Sequence, residues 1–205
     1  MTEPLLWYAA YGSNLHLARL TAYLAGGRPP GGAHEHPGCR DPGPPRDIRA
    51  IQLPGRVHFA LESLQWTGGM AFYDPLDPGP TPARAYLITA EQFADLAAQE
   101  MRRPPGTDLD LREALAHGRA ALGPGRYETL VHPGTLQGRP LLTFTAPWRT
   151  AEAPLAPPSA AYLRHLAAGL RESHAWDTPR IATYLATRPG AAGHWTPEAL
   201  AELLT

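Results

Sequence analysis

Three stretches of this chain place chemically useful groups where a fold can use them. In the first, six apolar residues, Leu5-Leu6-Trp7-Tyr8-Ala9-Ala10, end abruptly at Tyr11-Gly12-Ser13-Asn14-Leu15. After that, Leu15, Ala18, Leu20 and Leu24 continue at roughly helical spacing. A strand that turns tightly into a helix leaves successive backbone N–H groups, here those of Gly12, Ser13 and Asn14, outside any ladder, and such a row cradles an anion or an oxyanion. The plain alternative is that Ser13 or Asn14 only caps the helix. In the second stretch, Phe93, Leu96, Ala97 and Glu100 fall at i, i+3, i+4 and i+7, whereas Glu91, Asp95 and Gln99 fall elsewhere. A carboxylate on the apolar face and near a helix C-terminus is expected to have a raised pKa, which suits a proton shuttle near neutrality. The alternative is a glutamate at a fraying helix end, bent into water or paired with Arg102 or Arg103. In the third, His34, His36 and Cys39 stand at a spacing that could hold zinc, but no second ligand cluster follows, and a solvated loop is the competing reading.

These residues need elements to position them. Thr89-Ala90-Glu91-Gln92 fits a capping box and predicts a helix that runs to the Met101-Arg102-Arg103-Pro104 stop. Residues 26–46 are dense in glycine and proline and read as an irregular insertion or lid. From Ile48 the period becomes two, and Val57, Phe59 and Leu61 alternate with Arg56, His58, Ala60 and Glu62 as a half-buried strand. Met70-Ala71-Phe72-Tyr73 and Arg84-Ala85-Tyr86-Leu87-Ile88 are further strands, separated by a proline-laden loop. Residues 108–122 read as an amphipathic helix with Leu111, Leu115, Gly118 and Leu122 inward. Residues 126–131 and 140–145 read as a hairpin turning near Gly134 and Gly138. Ser159 is expected to cap a helix with Leu163, Leu166 and Leu170 inward, and Thr178-Pro179 and Thr196-Pro197 to open two more. Short strands without regular alternation with helices argue for an α+β fold, a small mixed β-barrel or curled sheet with flanking helices, over a doubly wound sheet.

The turn Tyr11-Gly12-Ser13-Asn14-Leu15, entered from an aromatic and alanine-rich first strand, resembles the signature turn of the gamma-glutamylcyclotransferase family, gamma-glutamylamine cyclotransferase relatives included. Leu96-Ala97-Ala98-Gln99-Glu100 resembles the segment where a glutamine precedes the family's catalytic glutamate. It departs from that pattern in its alanines, where the family has acidic residues, and in Met101, where it has a glycine. Pro158-Ser159, Tyr162, Gly169, Glu172, Pro179 and Tyr184-Leu185 are similar to the family's closing segment. The resemblance runs from Leu6 to about Leu185, with 26–46 and 103–125 least covered. It implies a cyclotransferase-like domain over 1–190 with a helical tail at 191–205. It also implies Glu100 as the catalytic residue, Tyr11, Gly12, Ser13, Asn14, Leu15, Tyr127 and Tyr162 as substrate-binding residues, and no cofactor or metal. For Tyr127 a cross-strand aromatic, and for Tyr162 an ordinary amphipathic-helix residue, are the competing structural roles. The implied reaction is attack of a gamma-glutamyl amide's own alpha-amine on the side-chain carbonyl, releasing 5-oxoproline and an amine. A non-catalytic module that binds an amino acid or gamma-glutamyl group, and a metal-dependent amide hydrolase using His34, His36 and Cys39, are the alternatives.

Composition narrows the field. With 205 residues the chain can enclose a small-molecule pocket in one domain. Its 18 basic residues are all arginine, which excludes a lysine Schiff base and a P-loop lysine. A net charge of −1 gives no footprint for general nucleic-acid or anionic-membrane binding. One cysteine excludes an intrachain disulfide. The absence of a spanning apolar run or a basic-then-apolar leader predicts a cytoplasmic protein, and the family resemblance implies a small-molecule gamma-glutamyl substrate as its partner.

Overall fold

The computed structural model describes residues 4–29, 31–32, 34–64 and 66–205, so Pro30 and Ala33 of the expected 26–46 insertion lie outside the described residues. In chain order the elements are β1 (Leu5–Ala10), a 3-10 turn (Ser13–Leu15), α1 (Leu17–Ala25), β2 (Asp47–Pro54), β3 (Arg56–Ala60), β4 (Met70–Asp74) and β5 (Pro80–Thr89). There follow α2 (Ala90–Glu100), α3 (Arg112–His117), β6 (Arg119–Ala121), β7 (Thr129–Leu136), β8 (Arg139–Thr145), a 3-10 turn (Thr150–Glu152), α4 (Ala160–His174), α5 (Thr178–Ala186) and α6 (Pro197–Leu203). The chain divides into two units that interleave in sequence. The first comprises Met1–Ala10, Leu17–Ile51 and Arg84–Pro147, and the second Tyr11–His16, Gln52–Ala83 and Trp148–Thr205.

The first unit is built on a mixed sheet of order β2-β5-β1-β8-β7-β6. β1 pairs antiparallel with β5, from Leu5 opposite Thr89 to Ala10 opposite Arg84, and parallel with β8. Leu6, Trp7, Tyr8, Ala9 and Ala10 are all buried, so both faces of β1 are covered, which is why its sequence is an unbroken apolar run. Leu6, Tyr8 and Ala10 join the core that α1 supplies with Leu20, Tyr23 and Leu24 and α2 with Phe93, Leu96 and Ala97. Tyr8 stacks on Phe144 at 5.3 Å between ring centroids and lies 6.1 Å from Phe93. Full burial of a side chain such as Phe93 or Leu96 stabilises the unit by about 1.5–3 kcal/mol. Among the described residues the six strands form an open sheet with β2 and β6 at its edges, and no closed barrel is present.

Three further expectations change here. Pro80 and Pro82 are part of β5, but they precede the stretch paired with β1, where their missing N–H groups would interrupt the ladder. The expected helix over 108–122 is half that length: Gly118, at φ +79°, closes α3, and the chain continues as β6. The Arg126–Val131 strand starts at Thr129, and its hairpin turns at Gln137-Gly138, both at positive φ. Gly134 lies instead where the β7–β8 register shifts.

In the second unit β3 and β4 form an antiparallel pair, Arg56 opposite Asp74 through Ala60 opposite Met70. β3 is not half-exposed as alternation suggests, because Val57, His58, Phe59 and Ala60 are all buried. One reason is that the chain after the second 3-10 turn and the chain after α5 both bond to it, through Ala156 N–H to Phe59 O at 3.1 Å and Phe59 N–H to Pro189 O at 2.8 Å. Ser159 caps α4 as expected, and Thr196 caps α6 with Pro197 following. The cap of α5 is Asp177 rather than Thr178, its Oδ1 accepting from Arg180 N–H at 3.0 Å. No described helix is long and apolar enough to cross a membrane.

Candidate functional site

The Tyr11–Leu15 segment does not pass directly from strand to α-helix. Leu15 N–H bonds Gly12 O at 3.0 Å and His16 N–H bonds Ser13 O at 3.3 Å, so a 3-10 turn is interposed before α1. The N-cap of this turn is Gly12, which has no side chain to cap with. Asn14 and Leu15 are buried, and the Tyr11 ring lies 5.6 Å from that of Tyr73.

Within the same unit α4 packs on the turn, and the approach is close. A Cβ built on Gly169 would stand 2.6 Å from Leu15 Cβ and 3.0 Å from His16 N. Only a glycine lets the helix sit there without displacing the turn. One helical face earlier, the Ser159 hydroxyl accepts from Tyr162 N–H at 3.3 Å, which sets the first turn of α4 and with it the Tyr162 ring. The Tyr162 hydroxyl accepts from Ala71 N–H at 3.3 Å and stands 3.5 Å from where a Gly12 Cβ would be. Trp66 covers the same ring at 5.3 Å. The structure therefore brings Tyr11, Gly12, Ser13, Asn14 and Leu15 together with Tyr162.

Glu100 is the last residue of α2 and is half-buried, in the same class as Gln99 and Glu91, which the helical spacing had placed on other faces. The capping box that starts α2 is formed in full: Thr89 Oγ1 accepts from Gln92 N–H and Gln92 Oε1 from Thr89 N–H, both at 3.0 Å. Glu100 shares a hydrogen bond with the Tyr23 hydroxyl. That hydroxyl also lies 3.4 Å from Arg19 Nη2, on a buried side chain one turn earlier on α1. Burial first, and then the Glu100 charge, push the Tyr23 phenol well above its ordinary value, so it remains a donor. Gln99 ties the two helices further: its Nε2 donates to Tyr23 O at 3.0 Å and contacts Gly38 O at 3.4 Å. Tyr127 sits in the same unit, in a turn at φ +62° rather than in a strand, with its ring edge-on to Phe144 at 6.2 Å.

The His36 ring packs against that of Tyr23 at 3.8 Å between ring centroids, tilted by 35°. Burial, then the Arg19 charge, lower its imidazole to about 4, so it is neutral near pH 7. The Cys39 thiol points inward to Tyr23 O at 3.4 Å, and burial with Asp95 and Asp41 pushes it up to about 12. His34 is exposed. Among the described residues no three His, Cys, Asp or Glu side chains gather into a group able to hold a metal ion, so His34, His36 and Cys39 do not form the zinc site that their spacing allowed.

Three residues escaped the sequence reading. Arg19 and Tyr23 are i and i+4 on α1, and the available signal was a lone charge in the apolar run Leu17-Ala18-Arg19-Leu20-Thr21-Ala22-Tyr23-Leu24. Asp95, expected away from the apolar face, is fully buried. It accepts from Arg40 Nε at 3.0 Å, Arg40 N–H at 2.8 Å and Gly106 N–H at 2.8 Å.

No family model matches the chain. Among curated proteins it is 31% identical over 198 residues to histone deacetylase 5 of Arabidopsis thaliana, an alignment covering 88% of this chain and 30% of that protein. The chain thus spans under a third of the length of that relative. Among solved structures it is similar to a gamma-glutamyl cyclotransferase, with a TM-score of 0.52, 17% identity and 98% of each chain covered. It is similar to an uncharacterized protein from Homo sapiens at the same TM-score and identity, covering 98% of this chain and 99% of that one. The fold is therefore gamma-glutamyl cyclotransferase-like, a mixed sheet with flanking helices.

Proposed function

We propose that this chain is a cyclotransferase that cleaves a gamma-glutamyl amide by intramolecular attack. The alpha-amine nitrogen bonds to the side-chain carbonyl carbon, the bond from that carbon to the amide nitrogen breaks, and 5-oxoproline and a free amine leave. No net oxidation occurs and no water is consumed. The nucleophile belongs to the substrate, so the protein's tasks are to fold the glutamyl group for ring closure and to move protons: the attacking nitrogen loses two as it passes from ammonium to lactam N–H, and the departing nitrogen gains two as it leaves as an ammonium. Alignment for an intramolecular attack is the largest available gain, with effective molarities of about 10⁵ M or more. In this reading Glu100 takes protons in turn from the attacking nitrogen and passes them to the departing nitrogen. The Tyr11–Asn14 turn holds the glutamyl group and offers N–H donors to developing charge. Leu15, Tyr127 and Tyr162 serve binding.

The observation that carries this reading is a half-buried carboxylate ending α2, held by a buried phenol, in a chain whose fold resembles a gamma-glutamyl cyclotransferase. The test is incubation of the full chain with a mixed gamma-glutamyl library in H₂¹⁸O. Ring closure yields 5-oxoproline without ¹⁸O. Glutamate carrying ¹⁸O would show hydrolysis by water and overturn the reading, and binding with neither product would point to a non-catalytic module.

A further inference from the structure

A half-buried carboxylate at the end of a helix has rotamer freedom, and a proton carrier that wanders is a poor one. The groups around Glu100 remove that freedom from one side. The Tyr23 hydroxyl bonds to the carboxylate and lies 3.4 Å from Arg19 Nη2, and both of these α1 side chains are almost fully buried, at 4% and 3% exposure. Arg19 also stands over the Tyr23 ring, its Cζ 5.5 Å from the centroid. His36 adds a tilted ring contact at 3.8 Å, and Gln99 Nε2 donates to the Tyr23 carbonyl oxygen at 3.0 Å. Tyr23 is thus held by its backbone, its ring and its hydroxyl.

We propose that Tyr23 is a positioning residue for Glu100: its phenol, oriented by Arg19 and the His36 contact, donates to the carboxylate and holds it in one orientation in its ionised form. This rests on the reading of Glu100 as the proton carrier. Arg19 acts through Tyr23, supplying a guanidinium that favours charge on the carboxylate side of the phenol and keeps the hydroxyl hydrogen aimed at Glu100. The charged and titratable groups recorded around this phenol are Arg19 on the same helix, Glu100 on α2 and His36 from the segment that follows α1.

The test uses Tyr23→Phe, which keeps the ring, its burial and its ring contact and removes only the hydroxyl. In full-length protein labelled with ¹³C-glutamate, the Glu100 carboxyl resonance, assigned by its loss in Glu100→Gln, is followed against pH. Loss of a donor to the charged form is expected to move the Glu100 titration midpoint upward by about one pH unit. On a turned-over gamma-glutamyl substrate, kcat is expected to fall about tenfold with KM within about twofold, and the acidic limb of the pH profile to move the same way as the titration. An unchanged midpoint in a folded Tyr23→Phe protein overturns the proposal, whatever the activity. A shifted midpoint alongside a fully active Glu100→Gln would leave the phenol's hold on the carboxylate standing and remove the proton-carrier reading instead.

Discussion

At the scale of single residues, the cluster around α2 shows how far a sequence pattern reaches. The Thr89–Gln92 capping box was legible, because capping is a local rule, whereas the helical spacing put Glu100 inward and Asp95 elsewhere and the structure leaves Glu100 half-buried and Asp95 fully buried. Asp95 was not legible as a core residue, because what buries it comes from irregular chain: Arg40 in the 26–46 segment and Gly106 after α2. Neither segment has a period that could announce a contact. Burial by itself would raise the Asp95 carboxyl, but the Arg40 side chain and the N–H groups of Arg40 and Gly106 outweigh it, and the net shift is downward. Its contribution to stability is therefore present above the ordinary carboxylate range and is lost as pH falls through the folded value. Asp95→Asn keeps the shape and removes the charge. It is expected to cost about 2–3 kcal/mol, discounted from a fully buried pair because Arg40 is partly exposed. Urea titration at pH 7 checks this, and a loss below about 0.5 kcal/mol would contradict the account of how the 26–46 segment is anchored.

At the scale of elements, β1, α2, α4 and α6 stand where their patterns place them, whereas β3, β7 and α3 depart from theirs. Six residues of α3 and three of β6 are too few to show a period, and the leucines that suggested one helix over 108–122 straddle Gly118, whose positive φ ends it. The same scale governs the turn below α4. Gly169→Ala places a methyl 2.6 Å from Leu15 Cβ, so the helix or the Ser13–Leu15 turn must shift. The expected cost is about 1–3 kcal/mol, read by denaturant unfolding. If the turn holds substrate as proposed, KM should rise more than kcat falls, and unchanged stability and kinetics would contradict the close packing of α4 on the turn.

At the scale of the whole molecule, mixed short strands pointed to an α+β fold, and the structure has one, but strand patterns alone did not distinguish a closed barrel from an open sheet. Closure depends on whether the first and last strands pair, and nothing local encodes that. Acid stability is also a property of the molecule as a whole. His58 is fully buried, and desolvation lowers its imidazole from the ordinary 6.5 to about 4. A depressed folded value means stability that is complete above about pH 6.5 and declines as pH falls toward 4, because only the unfolded chain takes up the proton readily. The slope from this residue approaches about 1.4 kcal/mol per pH unit within that window. His58→Gln should flatten the dependence of the unfolding midpoint on pH between 4 and 6.5, and an identical slope in both proteins would contradict it. The central claim, that Glu100 carries protons in a ring-closing reaction, is tested most directly by comparing wild type and Glu100→Gln for 5-oxoproline release from a gamma-glutamyl library, by mass spectrometry. The account predicts that the wild type releases 5-oxoproline with an equimolar amine and that the variant, equally folded, does so at least about 10²-fold more slowly; near-equal release by the two proteins would contradict it.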